Sequence, residues 1–230
     1  MRLLKTLTVP SQLLPTKTTG CVPANAEFII AKTGGSYGGY EIEHGISYYD
    51  VGGTKKLSFW RARQGIAFDR TDYTVTLTTG TWYHLAYTYS GTTVTGYLSD
   101  SSVATGSSSG AGNNNYNYNG INIGCRSASD GTGAYAFTSG KVDEVGMWTK
   151  ALSSTEVSDL YNAGSGQTMV GSLTKTFSVD TNHSLTGNMT SYWKQEDATD
   201  AFGTNDGTAT SVSFGTPVLY PFLFLLVPLD

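Results

Sequence analysis

Apolar positions fall on both faces of an extended run over residues 80–91, Gly80-Thr81-Trp82-Tyr83-His84-Leu85-Ala86-Tyr87-Thr88-Tyr89-Ser90-Gly91. The stretch is rich in aromatic residues, contains no Pro and has Gly at both ends, which suits an extended strand rather than a helix. With a period of two, Leu85, Tyr87 and Tyr89 share one face, and Trp82, His84, Ala86 and Thr88 share the other. Both faces carry apolar groups, so the pattern predicts a central strand covered on both sides. Ser90-Gly91 supplies turn chemistry, and Thr93-Val94-Thr95-Gly96-Tyr97-Leu98 is a second extended run. Together they predict a long antiparallel hairpin.

Similar patterning predicts strands at 27–32, 40–43, 57–63, 72–77, 121–125, 135–137 and 141–148. Residues 33–39 read as a Gly-rich loop and 99–112 as a Ser/Gly-rich connection, running into a low-complexity segment at 110–120. Residues 1–26 have no clear periodicity. One helix is predicted, over 154–162. Ser153 is a natural N-cap with Glu156 three residues on, a capping box, and Leu152 and Val157 are spaced for a hydrophobic staple. Gly164 is placed to end the helix.

Two blocks carry a resemblance. The first is Gly80-x-Trp82-x-His84-x-Ala86-x-Thr88-Tyr89, a turn, and the strand ending in Tyr97-Leu98. The second is Gly140-Lys141-Val142-Asp143-Glu144-Val145-Gly146-Met147-Trp148, followed by Ala151-Leu152-Ser153, Glu156, Leu160-Tyr161-Asn162 and Gly164. Together they resemble the laminin-G-like domains of the concanavalin A-like lectin/glucanase superfamily. The resemblance implies an all-β, two-sheet antiparallel jelly-roll sandwich with one short helix, spanning 27–164.

Composition narrows the function classes. The 230 residues include 28 Gly and 15 Tyr, and only 14% are charged, with a net charge of -4. That suits many short strands joined by turns. No basic patch is visible, so no nucleic-acid partner is expected. The two cysteines, Cys21 and Cys125, make no disulfide framework and read as free thiols, although a single bridge between them is not ruled out by count. Lys5, Pro10 and Pro15 interrupt any apolar run near the start, so no standard signal peptide is expected. The apolar tail at 217–230 is broken by Pro221 and Pro228 and falls short of the roughly 20 residues of a spanning helix, so no membrane insertion is expected.

Catalytic signals are weak. Gly34-Gly35-Ser36-Tyr37-Gly38 fits a nucleophile-elbow pattern, but a strand follows where the mechanism needs a helix. Gly106-Ser107-Ser108-Ser109-Gly110 fits equally well, which marks both as loops of a Ser/Gly-rich chain. Glycosidases need converging carboxylates, and the Glu-x-Asp-x-x-Glu run of the glucanase branch is absent. Glu41 and Glu43 read as a solvated strand face, and Glu144 as a partly buried, hydrogen-bonded structural group. His44, His84 and His183 have no zinc-ligand spacing. Calcium is compatible with a jelly-roll rim, but no dense acidic loop marks a site around Asp50 or Asp130, so no cofactor is expected.

Tyr116 and Tyr118, interleaved with Asn115 and Asn117, combine rigid rings with adaptable amides, the chemistry of recognition loops. The expectation is therefore a non-catalytic module binding a glycan or cell-surface ligand, at an extracellular, cell-surface or virion location. The alternatives are a structural repeat of a larger adhesin or viral tail-fibre or virion protein, and a polysaccharide hydrolase.

Beyond a linker at 165–184, residues 185–216 contain Ser191-Tyr192-Trp193-Lys194-Gln195-Glu196 and Asn205-Asp206-Gly207. They resemble the opening strand and first turn of a laminin-G-like unit, although they follow the closing helix. The first domain has no matching opening strand in 1–26. The chain thus reads as part of a tandem array or oligomer. Residues 190–196 are expected to fold back beside 141–148, with Tyr192 and Trp193 on opposite faces, or to be donated to a neighbouring chain.

Overall fold

The computed structural model describes residues 25–37, 40–63, 66–78, 81–107, 121–127, 134–142, 144–161, 189–193, 204 and 206–207. Four long strands form successive antiparallel pairs: β1 (Glu27–Tyr37), β2 (Tyr40–Val51), β3 (Thr54–Arg63) and β4 (Ile66–Thr74). A second layer is the hairpin β5 (Leu85–Ser90) and β6 (Thr93–Leu98), continued by β7 (Ser101–Ser107). The chain then returns to the first sheet, where β8 (Ile121–Ile123) pairs with β1, giving the order β4-β3-β2-β1-β8. The short strands β9 (Arg126–Ser127) and β10 (Ala134–Tyr135) form a small ladder, and β11 (Val145–Trp148) leads to helix α1 (Ser154–Tyr161).

Alternation sorts the two faces of the large sheet. Ile46 and Tyr48 on β2 and Leu57 and Phe59 on β3 point into one core, where they meet Leu85, Tyr87, Tyr89, Val94, Ala104, Val145 and Met147 of the second layer. On β1 the register slips between Phe28 and Ile30, so Ile29 is an extra residue. The bulge sends both Ile29 and Ile30 to the core while Phe28 and Ala31 reach the opposite face. The β2–β3 turn is tight because Gly52 and Gly53 take φ of 60° and 85°, a pair of left-handed conformations open at low cost to glycine, and Asp50 Oδ1 accepts from Gly53 N at 2.7 Å.

The two layers meet closely where side chains are missing. Gly96 on β6 lies against the Phe59 ring, and Gly106 on β7 lies against Thr71 on β4. These contacts set the sheet spacing.

Several boundaries differ from the sequence pattern. Residues 33–37 continue β1 rather than forming a loop. The fourth strand is Ile66–Thr74, not 72–77. Residues 101–107, read as a connection, are β7: its backbone pairs with β6 although its Ser and Gly residues carry little strand propensity. The hairpin's first strand begins at Leu85, not at 80. Thr81 N bonds back to Thr78 O at 3.2 Å, and the Tyr83 hydroxyl accepts from Thr78 N at 2.8 Å, so the backbone is turning there. This strand is buried on both faces, yet β6 is the middle strand of the ladder and β5 its edge. Alternation also fails at Glu144, whose φ of 56° interrupts the extended run predicted over 141–148.

Helix α1 is capped as its sequence implies. Ser153 N donates to Glu156 Oε2 at 2.9 Å, and Glu156 N donates to Ser153 Oγ at 3.3 Å. Lys150 pairs with the same carboxylate. Leu152, Val157 and Leu160 are buried, so eight residues of helix are held by packing. Glu156→Ala, which removes one half of the box, is expected to cost about 1 kcal/mol, read as a lower denaturation midpoint with an unchanged denaturant slope.

Strand β12 (Met189–Trp193) lies antiparallel beside β11, with Val145 opposite Trp193, Gly146 opposite Tyr192, Met147 opposite Ser191 and Trp148 opposite Met189. The closing strand therefore gains the neighbour that the sequence nominated for it. The side chains of β12, and hence the expected faces of Tyr192 and Trp193, lie outside the described residues.

Candidate functional site

The face of the large sheet turned away from the core is not plain surface. Register places Asp72, Ser58, Ser47 and Phe28 in one row across β4, β3, β2 and β1. The next row along the strands is Arg70, Trp60, Gly45 and Ala31. Tyr49 and Lys56 stand opposite each other in the row on the other side. Trp60 is buried in one cluster with Phe28, Ala31 and Tyr49, and its indole N–H donates to Ser47 Oγ at 2.7 Å.

Asp72 is the polar centre. Its Oδ2 accepts from the Tyr49 hydroxyl at 2.8 Å and its Oδ1 from Ser58 Oγ at 2.6 Å. Arg70 Nε lies 2.9 Å from Oδ1, and Lys56 Nζ lies 3.9 Å from Oδ2. The Arg70 guanidinium also sits 5.2 Å from the Trp60 ring centroid and 5.4 Å from that of Tyr49. Burial first, then the neighbouring Asp72, raises the Tyr49 phenol, with Ser58 and Arg70 acting the other way. The phenol therefore stays a donor at neutral pH. Trp60, Tyr49 and Phe28 are buried, while the Asp72, Arg70 and Lys56 side chains keep 21%, 30% and 31% of their exposure. The result is a carboxylate and two cations presented on stiff strands above a packed aromatic floor. Such a group can hydrogen-bond hydroxyls or pair with charge on a ligand without first being ordered.

A second cluster lies inside the sandwich. Arg61, His44 and Lys32 are register partners across β3, β2 and β1. Arg61 lies with its guanidinium 3.8 Å from the Tyr89 ring centroid and donates to Gly91 O at 3.2 Å. His44 stacks on the same Tyr89 ring, 5.4 Å between centroids, with Nδ1 3.5 Å from the Tyr87 hydroxyl. Arg61 and His44 are 1% and 4% exposed, so this cluster braces the two layers rather than meeting solvent.

The sequence-nominated site does not coincide with either cluster. Tyr116, Tyr118, Asn115 and Asn117 lie outside the described residues, as do Cys21, Asp130 and His183. The side chains of Glu41 and Glu43 lie outside them too. Glu144 is buried, consistent with a structural group. His84 is a hydrogen-bonded core residue, with Nδ1 2.7 Å from Ser99 O and its ring stacked on Tyr161 of α1. Cys125 is a free, buried thiol. Among the described residues no group of three or more His, Cys, Asp or Glu is placed to hold a metal ion, and no helix is long and apolar enough to cross a membrane. The Asp72 cluster was legible in principle. Arg70 and Asp72 are two apart, which puts them on one face of a strand, but the register that adds Ser58, Tyr49 and Lys56 is not written in any local pattern.

Two antiparallel layers packed face to face, with one short capped helix, define a β-sandwich of the concanavalin A-like class. Residues 17–158 match the model of a laminin G-like family described as the concanavalin A-like lectin/glucanases superfamily, and the chain belongs to that family. No curated protein and no solved structure matches the chain. Membership supports a carbohydrate- or ligand-binding module in general, of a kind typically without catalysis.

Proposed function

We propose that this protein is a non-catalytic module that binds glycans or another cell-surface ligand outside the cell or on a virion surface. The observation that carries the reading is the Asp72 cluster: Asp72, Arg70 and Lys56 are partly exposed, Asp72 is fixed by short hydrogen bonds from Ser58 and Tyr49, and both cations pair with it. Neutral sugars offer hydroxyls to such groups, and the stiff strands keep the ordering cost of binding low. The amide and tyrosine loop residues Asn115, Tyr116, Asn117 and Tyr118 are proposed to add contacts of the recognition-loop kind.

A glycan array followed by calorimetry tests this. Arg70→Ala and Asp72→Asn are each expected to weaken binding about tenfold, the loss of one or two hydrogen bonds to a charged group. Tyr116→Ala with Tyr118→Ala should weaken it independently. Binding unaffected by all of these substitutions would remove both proposed surfaces, and no binding to any polysaccharide would overturn the module reading. One observation favours a second reading, a structural repeat of a larger adhesin or tail-fibre assembly. A strand resembling the opening of a further unit is paired onto this one.

A further inference from the structure

The family match ends at residue 158, yet the ladder at the closing strand is completed by Met189–Trp193. Residues 162–188 separate the end of α1 from that strand. Among the described strands, β12 pairs with β11 and with no other. Among the described residues, one antiparallel ladder joins to the matched domain a strand supplied from outside it. Without β12, the same row of β11 N–H and C=O groups would be an open template for pairing.

We propose that the β11 edge is a strand-acceptor site, and that residues 189–193 of a second copy of this chain can fill it in place of the chain's own. The backbone contacts are the same in either case, because the ladder does not record which chain the strand came from. The difference lies in tethering. A tethered strand competes at a high effective concentration, so a dilute chain closes on itself. Exchange between copies dominates when chains fold together at high concentration, and reciprocal exchange gives a closed dimer. The intervening residues at roughly 3.3 Å each, fully extended, span several strand lengths, which is enough to reach a neighbour. The antiparallel register, with Gly146 opposite Tyr192 and a bulge between Met147 and Trp148, sets what the site accepts: a five-residue extended segment in one direction.

The test uses the full chain with Ser191→Pro and Tyr192→Pro. Two adjacent prolines guarantee that one of the lost N–H groups faced β11, since ladder donors alternate along a strand. A fluorescent peptide of residues 186–196 is then titrated by anisotropy. The double variant is expected to bind it saturably, the wild type at least tenfold more weakly because its own strand occupies the edge, and a peptide carrying the same two prolines not at all. Wild type refolded at high concentration should give a dimer that the double variant does not form. A double variant that melts cooperatively but ignores the peptide overturns the proposal. Should the double variant fail to fold, a wild-type chain with a protease site within 165–184 is cut after folding. The released fragment should stay bound and be displaced by excess peptide. A fragment that separates on gel filtration and leaves the melting curve unchanged overturns the proposal equally.

Discussion

Acidification from pH 7 to about 4.5 is expected to remove about 5 kcal/mol of stability from this protein, through two buried histidines whose charged forms the core excludes. Burial, then Arg61 and Lys32, pushes His44 down to about 3. Burial pushes His84 down to about 4, against the smaller opposing effects of Ser99 O and Asp100. Both values lie below the unfolded 6.5, so the unfolded chain takes up protons first as the pH falls. The stability contribution is full above 6.5. It is lost between 6.5 and about 4 for both groups and down to about 3 for His44 alone. Two protons give a slope of about 3 kcal/mol per pH unit in the steep part of that window, against a total stability of roughly 5–15 kcal/mol. Protonated His84 has a further problem: its Nε2 is buried and has no hydrogen-bond partner to receive the new N–H. Urea midpoints measured from pH 7.5 to 4.5 check this. His84→Gln should flatten the profile by about one proton. A profile that is level over that range, or equally steep in the variant, defeats the account.

Gly96→Val is expected to be the most damaging single substitution in the sandwich, costing about 3 kcal/mol or more. A Cβ at Gly96 would overlap three atoms of the Phe59 ring. Phe59 is fully buried and stacked on Tyr87 at 6.5 Å and 6°, so the ring has nowhere to go. Gly96 itself is pinned between Tyr87 on β5 and Ala104 on β7. Gly106→Ala is the informative comparison. There the added carbon meets first the Thr71 Oγ1, the end of a side chain that can rotate. Its cost should be nearer 1 kcal/mol. If Gly96→Val melts within about 2 °C of the parent, or if Gly106→Ala is the worse of the two, the closeness of the layers is not what these glycines provide.

Particular elements show how far the sequence could be read. The faces of the hairpin followed from period-two alternation alone, and Leu85, Tyr87 and Tyr89 do share the core. Helix α1 followed from its cap, because Ser153 and Glu156 act through bonds three residues apart. Strand β7 did not follow. Ser101, Ser102, Thr105 and Gly106 become a strand because β6 offers an edge and β4 demands a residue without a side chain. Of the Asp72 cluster only the Arg70–Asp72 spacing was local, since Tyr49, Ser58 and Asp72 meet only through the register of three strands.

The sequence by itself determined what depends on near neighbours: the all-β class, the hairpin faces, the capped helix, and the family-like blocks around Trp82 and Trp148. Only the tertiary structure decided what depends on register and on the second layer. It set the bulge that turns Ile29 and Ile30 inward together, the glycine contacts that fix the sheet spacing, and the placement of Asp72 among Tyr49, Ser58 and Arg70. The physical reason is range. Alternation and capping are interactions of residues two to four apart, whereas a ladder's register is fixed by the sum of many weak contacts between segments far apart in the chain.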